Sequence, residues 1–402
     1  MSDTETIIAE TPAETRPPAV LQVLPRLVTG GVERGTVDLA AALVAHGWHA
    51  VVASAGGPMV RELERAGARH VTLPLAAKNP LVMHANVARL AAVIERLGID
   101  IVHARSRAPA WSARAAAART GAHFVTTFHN AYGAATWVKR PYNSVMAAGE
   151  RVIAISDFVA QHAAATYGVP PERLVVVHRG IDLLRFDPER TGAERVVDLA
   201  RDWRLPDGVP VVMLPGRLTR WKGHAVLIEA LRRLGRDSLH CVIVGSGSER
   251  YRRELETALS GNPPPCAVAI HDECRDMPAA YMLADVVVSA STEPEGFGRV
   301  VVEAQAMGRP VIATAHGGAA ETVIPGETGW LVPPGDADAL AHALEEALAL
   351  TPEARLALAR RATAHARAFF GTARMTASTI AVYEELLGAD AARAPAPGAV
   401  AA

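Results

Sequence analysis

Two glutamates separated by seven residues, Glu295 and Glu303, stand inside the stretch SASTEPEGFGRVVVEAQAMG at 289–308. The apolar run 284–289 ends in a polar, glycine-containing turn, and 299–307 reads as a helix with Val301, Val302 and Ala306 available for burial. Glu295 then lies in the turn and Glu303 early in the helix, so both carboxylates can face a group held at the helix N-terminus. Gly296 and Gly298 let backbone N–H groups approach an anion closely. A sugar-phosphate site fits this pattern; so does an ordinary strand-to-helix turn with solvated glutamates.

Arg217 and Lys222 flank the loop in GRLTRWKGH, 216–224, where a guanidinium and an ammonium can oppose the charge of a wrapped diphosphate. Lys222 is one of only three lysines, with Lys78 and Lys139, in a chain that otherwise uses arginine, which points to a need for a compact point charge. His129 follows the apolar segment HFVTTF, where an imidazole can hydrogen-bond a sugar or stabilise developing charge, or serve as an ordinary turn residue. Gly30 and Gly31 precede a helical pattern and permit an anion at its N-terminus, although they do not complete a GxGxxG and equally fit a tight turn. GDAD at 335–338 has a D-x-D spacing that a divalent metal can use. It leads into a helix, however, so Asp336 reads as its N-cap and no metal is expected.

The elements that must position these groups alternate along the chain. Apolar runs at 19–25, 49–54, 70–75, 99–104, 123–128, 151–156 and 173–178 read as strands, with helical patterns such as 33–46 and 60–66 between most of them. The charged segment 183–208 has no strand pattern and suits a connection between domains. A second series follows, with strands at 209–216, 240–245, 267–272, 284–290, 309–315 and 329–333. The expectation is an α/β chain with two Rossmann-like doubly wound domains, 19–190 and 191–371, facing across a cleft. Ligands of such sheets sit beyond the carboxyl ends of the strands, which is where the polar motifs fall. The ends 1–18 and 389–402 are expected to be disordered.

A net charge of -1 over 402 residues excludes a nucleic-acid binder that relies on a global basic field. Cys241, Cys266 and Cys274 lack metal-ligand spacing and read as reduced thiols, which favours a cytoplasmic location. No apolar run reaches the roughly 20 residues of a membrane span, and the N-terminus lacks the pattern of a secretory signal, so any membrane contact is expected to be peripheral. Arg105, Arg107, Trp137, Lys139 and Arg140 can form a basic and aromatic surface suited to an anionic glycolipid or to the inner face of a membrane, or stand as scattered solvated charges beside a core or surface tryptophan.

The ordered set GGVER, TTFHN, VVHRGID, LPGRLTRWKG, VIVGSGSER, ADVVVSASTEPEGFGRVVVEAQAMGRPV and AHGGAAETV resembles the family 4 glycosyltransferases, retaining enzymes of the GT-B fold. The resemblance covers nearly the whole chain apart from its two ends. It implies metal-independent transfer of a sugar from a nucleotide diphosphate donor, with no cofactor, to an acceptor such as a cell-envelope glycan or glycolipid, lipopolysaccharide among them. On the matching positions, Glu303 would hydrogen-bond the ribose and Glu295 the donor sugar, while Arg217 and Lys222 would hold the diphosphate. His129 would contact the sugar or reacting centre. The N–H groups of Gly296, Phe297 and Gly298 would cap sugar and phosphate, and Gly30 with Gly31 would approach donor phosphate and acceptor. A last helix, 372–387, would cross back to the first domain. Two departures stand out: Asp272 where many relatives have glycine, and His178-Arg179 where proline-asparagine is common. The competing readings are a nucleotide-sugar epimerase, a non-catalytic nucleotide-sugar-binding subunit, and a glycoside hydrolase using the two glutamates as its acid pair, which leaves the basic loop without a purpose.

Overall fold

The computed structural model describes residues 16–28, 30–133, 137 and 139–393, with side chains through 388. The first sheet holds β1 (Ala19–Val23), β2 (His49–Ser54), β3 (Arg69–Thr72), β4 (Ile101–Ala104), β5 (His123–Phe128), β6 (Arg151–Ala154) and β7 (Leu174–Val176). The second holds β8 (Val211–Pro215), β9 (His240–Val244), β10 (Ala267–His271), β11 (Val286–Ser289), β12 (Val311–Thr314) and β13 (Trp330–Val332). All strand pairs are parallel, in the orders 3-2-1-4-5-6-7 and 10-9-8-11-12-13. The expected pair of doubly wound α/β sheets is present, and each strand begins or ends within a few residues of its expected limits.

Strand order reverses between β1 and β4 in the first sheet and between β8 and β11 in the second. Helices on opposite faces diverge there, which opens a crevice at the carboxyl ends of those strands. The loops leaving these four strands therefore carry Gly30 and Gly31, Arg105, the 216–223 turn, and the 290–298 turn.

The connection at 183–208 contains the helix Ala193–Asp202, which packs on the helix Met277–Leu283 of the second domain and ties to it through Arg195 and Asp276, 2.6 Å apart. The chain crosses between domains twice, and the crossings run side by side: Ile181 pairs with Gly371. A Cβ on Gly180 would lie 2.6 Å from the Thr372 Cα, so that approach needs glycine. The last helix, Thr372–Arg393, then packs on the helix Gly31–Ala45, burying Ile380, Val382, Tyr383 and Leu386 in the first domain's core. It runs six residues past the expected end at 387, because alanine and arginine favour helix enough to carry it beyond Gly388. The remainder of the expected tails, 1–15 and 394–402, lies outside the described residues. No helix among the described residues is long and apolar enough to cross a membrane.

Candidate active site

The second sheet's crevice brings its motifs into contact. The turn after β8 ends at Gly223, with φ +74°, and a Cβ there would fall 1.8 Å from the Ala290 carbonyl oxygen, so the loops leaving β8 and β11 meet backbone to backbone. The Thr292 N–H donates to the Trp221 carbonyl at 2.7 Å across the same seam. That closeness sets Lys222 Nζ 2.7 Å from Glu295 Oε1, each side chain only 13% exposed. Ser291 and Ser289 donate to the same carboxylate oxygen, and Lys222 also lies 4.6 Å from the centre of the Trp221 ring. Burial raises the cost of breaking this pair from one side. Arg217 stands exposed at the rim, its guanidinium without a hydrogen bond or ion pair among the described residues.

Glu303 lies on the helix Arg299–Ala306 and is 7% exposed. It accepts from Tyr281 Oη at 2.9 Å and from the Arg299 guanidinium at 2.8 Å. A carboxylate has about four acceptor positions, so two remain for a ligand. Burial pushes the Tyr281 phenol well above its ordinary pKa, with the Glu303 charge adding to the shift, so Tyr281 stays a donor. The Phe186 ring, on the interdomain connection, meets Tyr281 edge-on at 6.0 Å.

The turn between the glutamates presses on the first domain. A Cβ on Gly296 would lie 3.0 Å from the His129 carbonyl, and Ser156 Oγ donates to the Gly296 carbonyl at 2.7 Å. Gly298 has φ +82° and rests on Ala319, while Gly318 N–H donates to the Glu295 carbonyl at 2.8 Å. The Phe297 side chain is buried against His178 and Phe370 and packs rather than binds. Among the described residues nothing accepts from the N–H groups of Gly296, Phe297 and Gly298, which leaves three donors at the start of that helix. Nearby, Glu321 accepts from the N–H groups of Asp157 and Phe158 at the start of the helix Asp157–Tyr167, with His178 Nε2 3.6 Å from its carboxylate and 3.7 Å from that of Asp157. The two domains are thus latched next to the site.

In the first domain, Gly30 is the N-cap of the helix Gly31–Ala45, and Gly31 faces Arg179, whose Nη1 would lie 3.0 Å from an added Cβ. His129 follows β5, with Nδ1 3.5 Å from Arg179 Nη2 and Nε2 sealed from solvent without a partner. Burial, reinforced by the charges of Arg105 and Arg179, holds the imidazole pKa well below its ordinary value, so the ring is neutral. In the second domain, burial likewise lowers His224, which starts the helix His224–Leu234, to about 4.

The expected basic and aromatic surface does not form as one face. Arg105 is 5% exposed, because it leaves β4 with its N–H still donating to the Val23 carbonyl and turns beneath the helix at Gly35. Arg107 stacks on the Tyr132 ring at 4.5 Å and donates to Asn143 at 3.2 Å. Lys139, Arg140 and Trp137 do stay at the surface, with Trp137 89% exposed. Asp272 turns outward to Arg252. Asp336 caps the helix Ala337–Leu348, accepting from the N–H groups of Asp338 and Ala339. Sequence reasoning missed Arg179 and Arg299 as site residues, although the unusual His178-Arg179 pair marked one of them.

Comparison with known proteins agrees with this architecture. The family model for glycosyl transferases group 1 matches residues 198–365, and that for Glycosyltransferase Family 4 matches 29–185. A glycosyltransferase from Rickettsia africae is 36% identical and superposes with a TM-score of 0.85, covering 93% of this chain and 99% of that one. The D-inositol 3-phosphate glycosyltransferase of Actinosynnema mirum is 36% identical over 253 residues, 60% of this chain and 58% of the relative. The chain thus spans less than two thirds of the length of that curated relative. Anabaena HepE, solved with UDP and glucose, shares the fold at 23% identity and a TM-score of 0.80, covering 92% of this chain and 100% of that one. The chain belongs to the family 4 glycosyltransferases, and it is a glycosyltransferase with the GT-B fold of two Rossmann-like domains.

Proposed function

We propose that this enzyme moves a sugar from a nucleotide diphosphate donor to an acceptor with retained anomeric configuration and without a metal ion or other cofactor. The observation that carries the reading is the largely buried Lys222–Glu295 pair at the second sheet's crevice, with Glu303 one helix turn beyond the open N–H groups of Gly296, Phe297 and Gly298. Glu303 takes the ribose hydroxyls, Glu295 the sugar hydroxyls, and Arg217 with Lys222 the diphosphate. As the bond from the anomeric carbon to the diphosphate oxygen breaks, its electron pair leaves on that oxygen, where the two cations stabilise it. The acceptor hydroxyl attacks from the same face, and its proton passes to a donor phosphate oxygen. Gly30 and Gly31 let the reacting phosphate and acceptor approach the first domain, and the neutral His129 ring lies against the sugar or reacting centre.

The acceptor is a cell-envelope glycan or glycolipid, of which lipopolysaccharide is one, reached from the cytoplasmic side. Exposed Trp137, with Lys139 and Arg140, supports peripheral contact with an anionic membrane. The test is a panel of nucleoside diphosphate sugars scored by protection against thermal unfolding, followed by the anomeric configuration of the product. One donor raising the unfolding temperature in the wild type and not in Lys222→Ala supports the reading; protection by none of them, or an inverted product, overturns it.

A further inference from the structure

The first sheet's crevice holds charge that the proposed donor site does not use. Arg105 is 5% exposed, and its guanidinium has no hydrogen-bond acceptor or ion pair among the described residues; its Nε is also sealed from solvent. A buried cation without a partner is costly, so a fold retains one where something else supplies the opposite charge. Among the described residues, Arg179 is bonded only by the long contact to His129 Nδ1. Because that nitrogen accepts, the neutral ring carries its proton on Nε2, which is a third donor left without an acceptor.

These donors converge. Gly31 and Gly35 sit one turn apart on the same helix, and a Cβ on the first would meet Arg179 at 3.0 Å and on the second Arg105 at 3.3 Å. Arg105, His129, Arg179 and Thr127 line one narrow pocket of about 20 Å³, the space of a single oxygen atom. A larger cavity of about 450 Å³ follows the same helix, bounded by Gly30, Asp38, Gly180 and Arg299. The nearby acids do not neutralise the pair: Asp38 has its ion pair with Arg34 at 3.8 Å, and neither Glu33 nor Asp38 bridges Arg105 or Arg179. Burial and the charges of Arg299 and Arg105 lower the Arg179 pKa to about 9, against a weaker opposite pull from Glu33.

We infer that this pocket receives one anionic oxygen of a phosphate monoester or carboxylate carried by the acceptor, whose bulk occupies the adjoining cavity. Calling it the acceptor's rests on the donor reading above, which gives the leaving diphosphate to Arg217 and Lys222 on the other sheet. The acceptor of this enzyme is then an anionic molecule, one of whose oxygens is bridged by Arg105 and Arg179.

The test titrates the full chain separately with inorganic phosphate and with a nucleoside diphosphate, at constant ionic strength. Phosphate should protect the wild type saturably, and Arg179→Gln should weaken that binding by about tenfold or more while leaving nucleoside diphosphate affinity unchanged. Lys222→Ala should do the reverse. Arg105→Met, of similar volume, should raise the unfolding temperature of the free protein and abolish phosphate protection, since it removes an uncompensated charge. Phosphate that fails to bind, binds Arg179→Gln as it binds the wild type, or an Arg179→Gln change that weakens nucleoside diphosphate as much as phosphate overturns the inference. Nucleoside diphosphate binding unchanged in Lys222→Ala sinks the donor reading instead, and with it the assignment of the anion to the acceptor.

Discussion

The two crevices are built alike and charged differently. In the second domain the loops leaving β8 and β11 place Lys222 against Glu295 at 2.7 Å, so the cation is already compensated before any ligand arrives. In the first domain the loop leaving β4 holds Arg105, the turn after β7 holds Arg179, and among the described residues no carboxylate bridges either one. A compensated cation can bind a diphosphate by exchanging one partner for another, and its carboxylate, once released, is free for sugar hydroxyls. An uncompensated pair gains its partner only from the ligand. The difference assigns a leaving group to one side of the cleft and a stationary anion to the other.

The largest effect is expected from Lys222→Ala. It removes the cation opposing the leaving diphosphate and strands a buried Glu295, so kcat/KM should fall by the equivalent of about 2 to 4 kcal/mol. Arg217→Ala, at the exposed rim, should cost less. Wild-type turnover in Lys222→Ala would remove the second crevice from the chemistry.

Each crevice also contains a neutral histidine, His129 in one and His224 in the other, and both are depressed by burial. The unfolded chain takes up a proton near pH 6.5, whereas folded His224 does so only near 4. Across that window the unfolded state binds more protons, so stability falls as the pH drops from about 6.5 toward 4. For His224 the loss amounts to roughly 3 kcal/mol. Denaturant unfolding at stepped pH measures it, and His224→Gln should flatten the part of the slope that belongs to the second domain. An unchanged slope in that variant refutes the burial argument.

A finer division separates the two glutamates. Glu303→Gln should weaken free nucleoside diphosphate and intact donor alike, by about 2 kcal/mol, because a charged acceptor for the ribose is lost. Glu295→Gln should spare free nucleoside diphosphate and impair transfer. Calorimetry with nucleoside diphosphate and a non-transferable donor analogue resolves the two; equal losses on free nucleotide would show the carboxylates to be misplaced.

The smallest effect lies outside both crevices. Asp336→Ala should cost about 1 kcal/mol of stability through the lost helix cap and leave transfer intact. Chelator should leave the rate unchanged as well. A rate abolished by chelator and restored by magnesium or manganese would contradict the metal-free mechanism.

The alternation of apolar runs and amphipathic segments determined by itself that two parallel sheets form, since side-chain periodicity is local and each run must bury its own face. The glycine turns and the E-x7-E spacing were legible for the same reason: turn geometry and helix register are set by near neighbours. Contacts between distant loops were not. That Lys222 pairs with Glu295 depends on Gly223 meeting Ala290, two segments far apart in sequence and adjacent only because β8 and β11 pair. Arg105 read as a surface cation because nothing local distinguishes it from Arg107, and only the packing of the helix Gly31–Ala45 over β4 buries one and leaves the other stacked on Tyr132. Arg179 looked like a departure in a turn until the fold brought it to His129. The sequence determined which groups are available and on which elements they ride; the tertiary structure decided which charges are neutralised, because the energy of a charge depends on partners and burial that no local window contains.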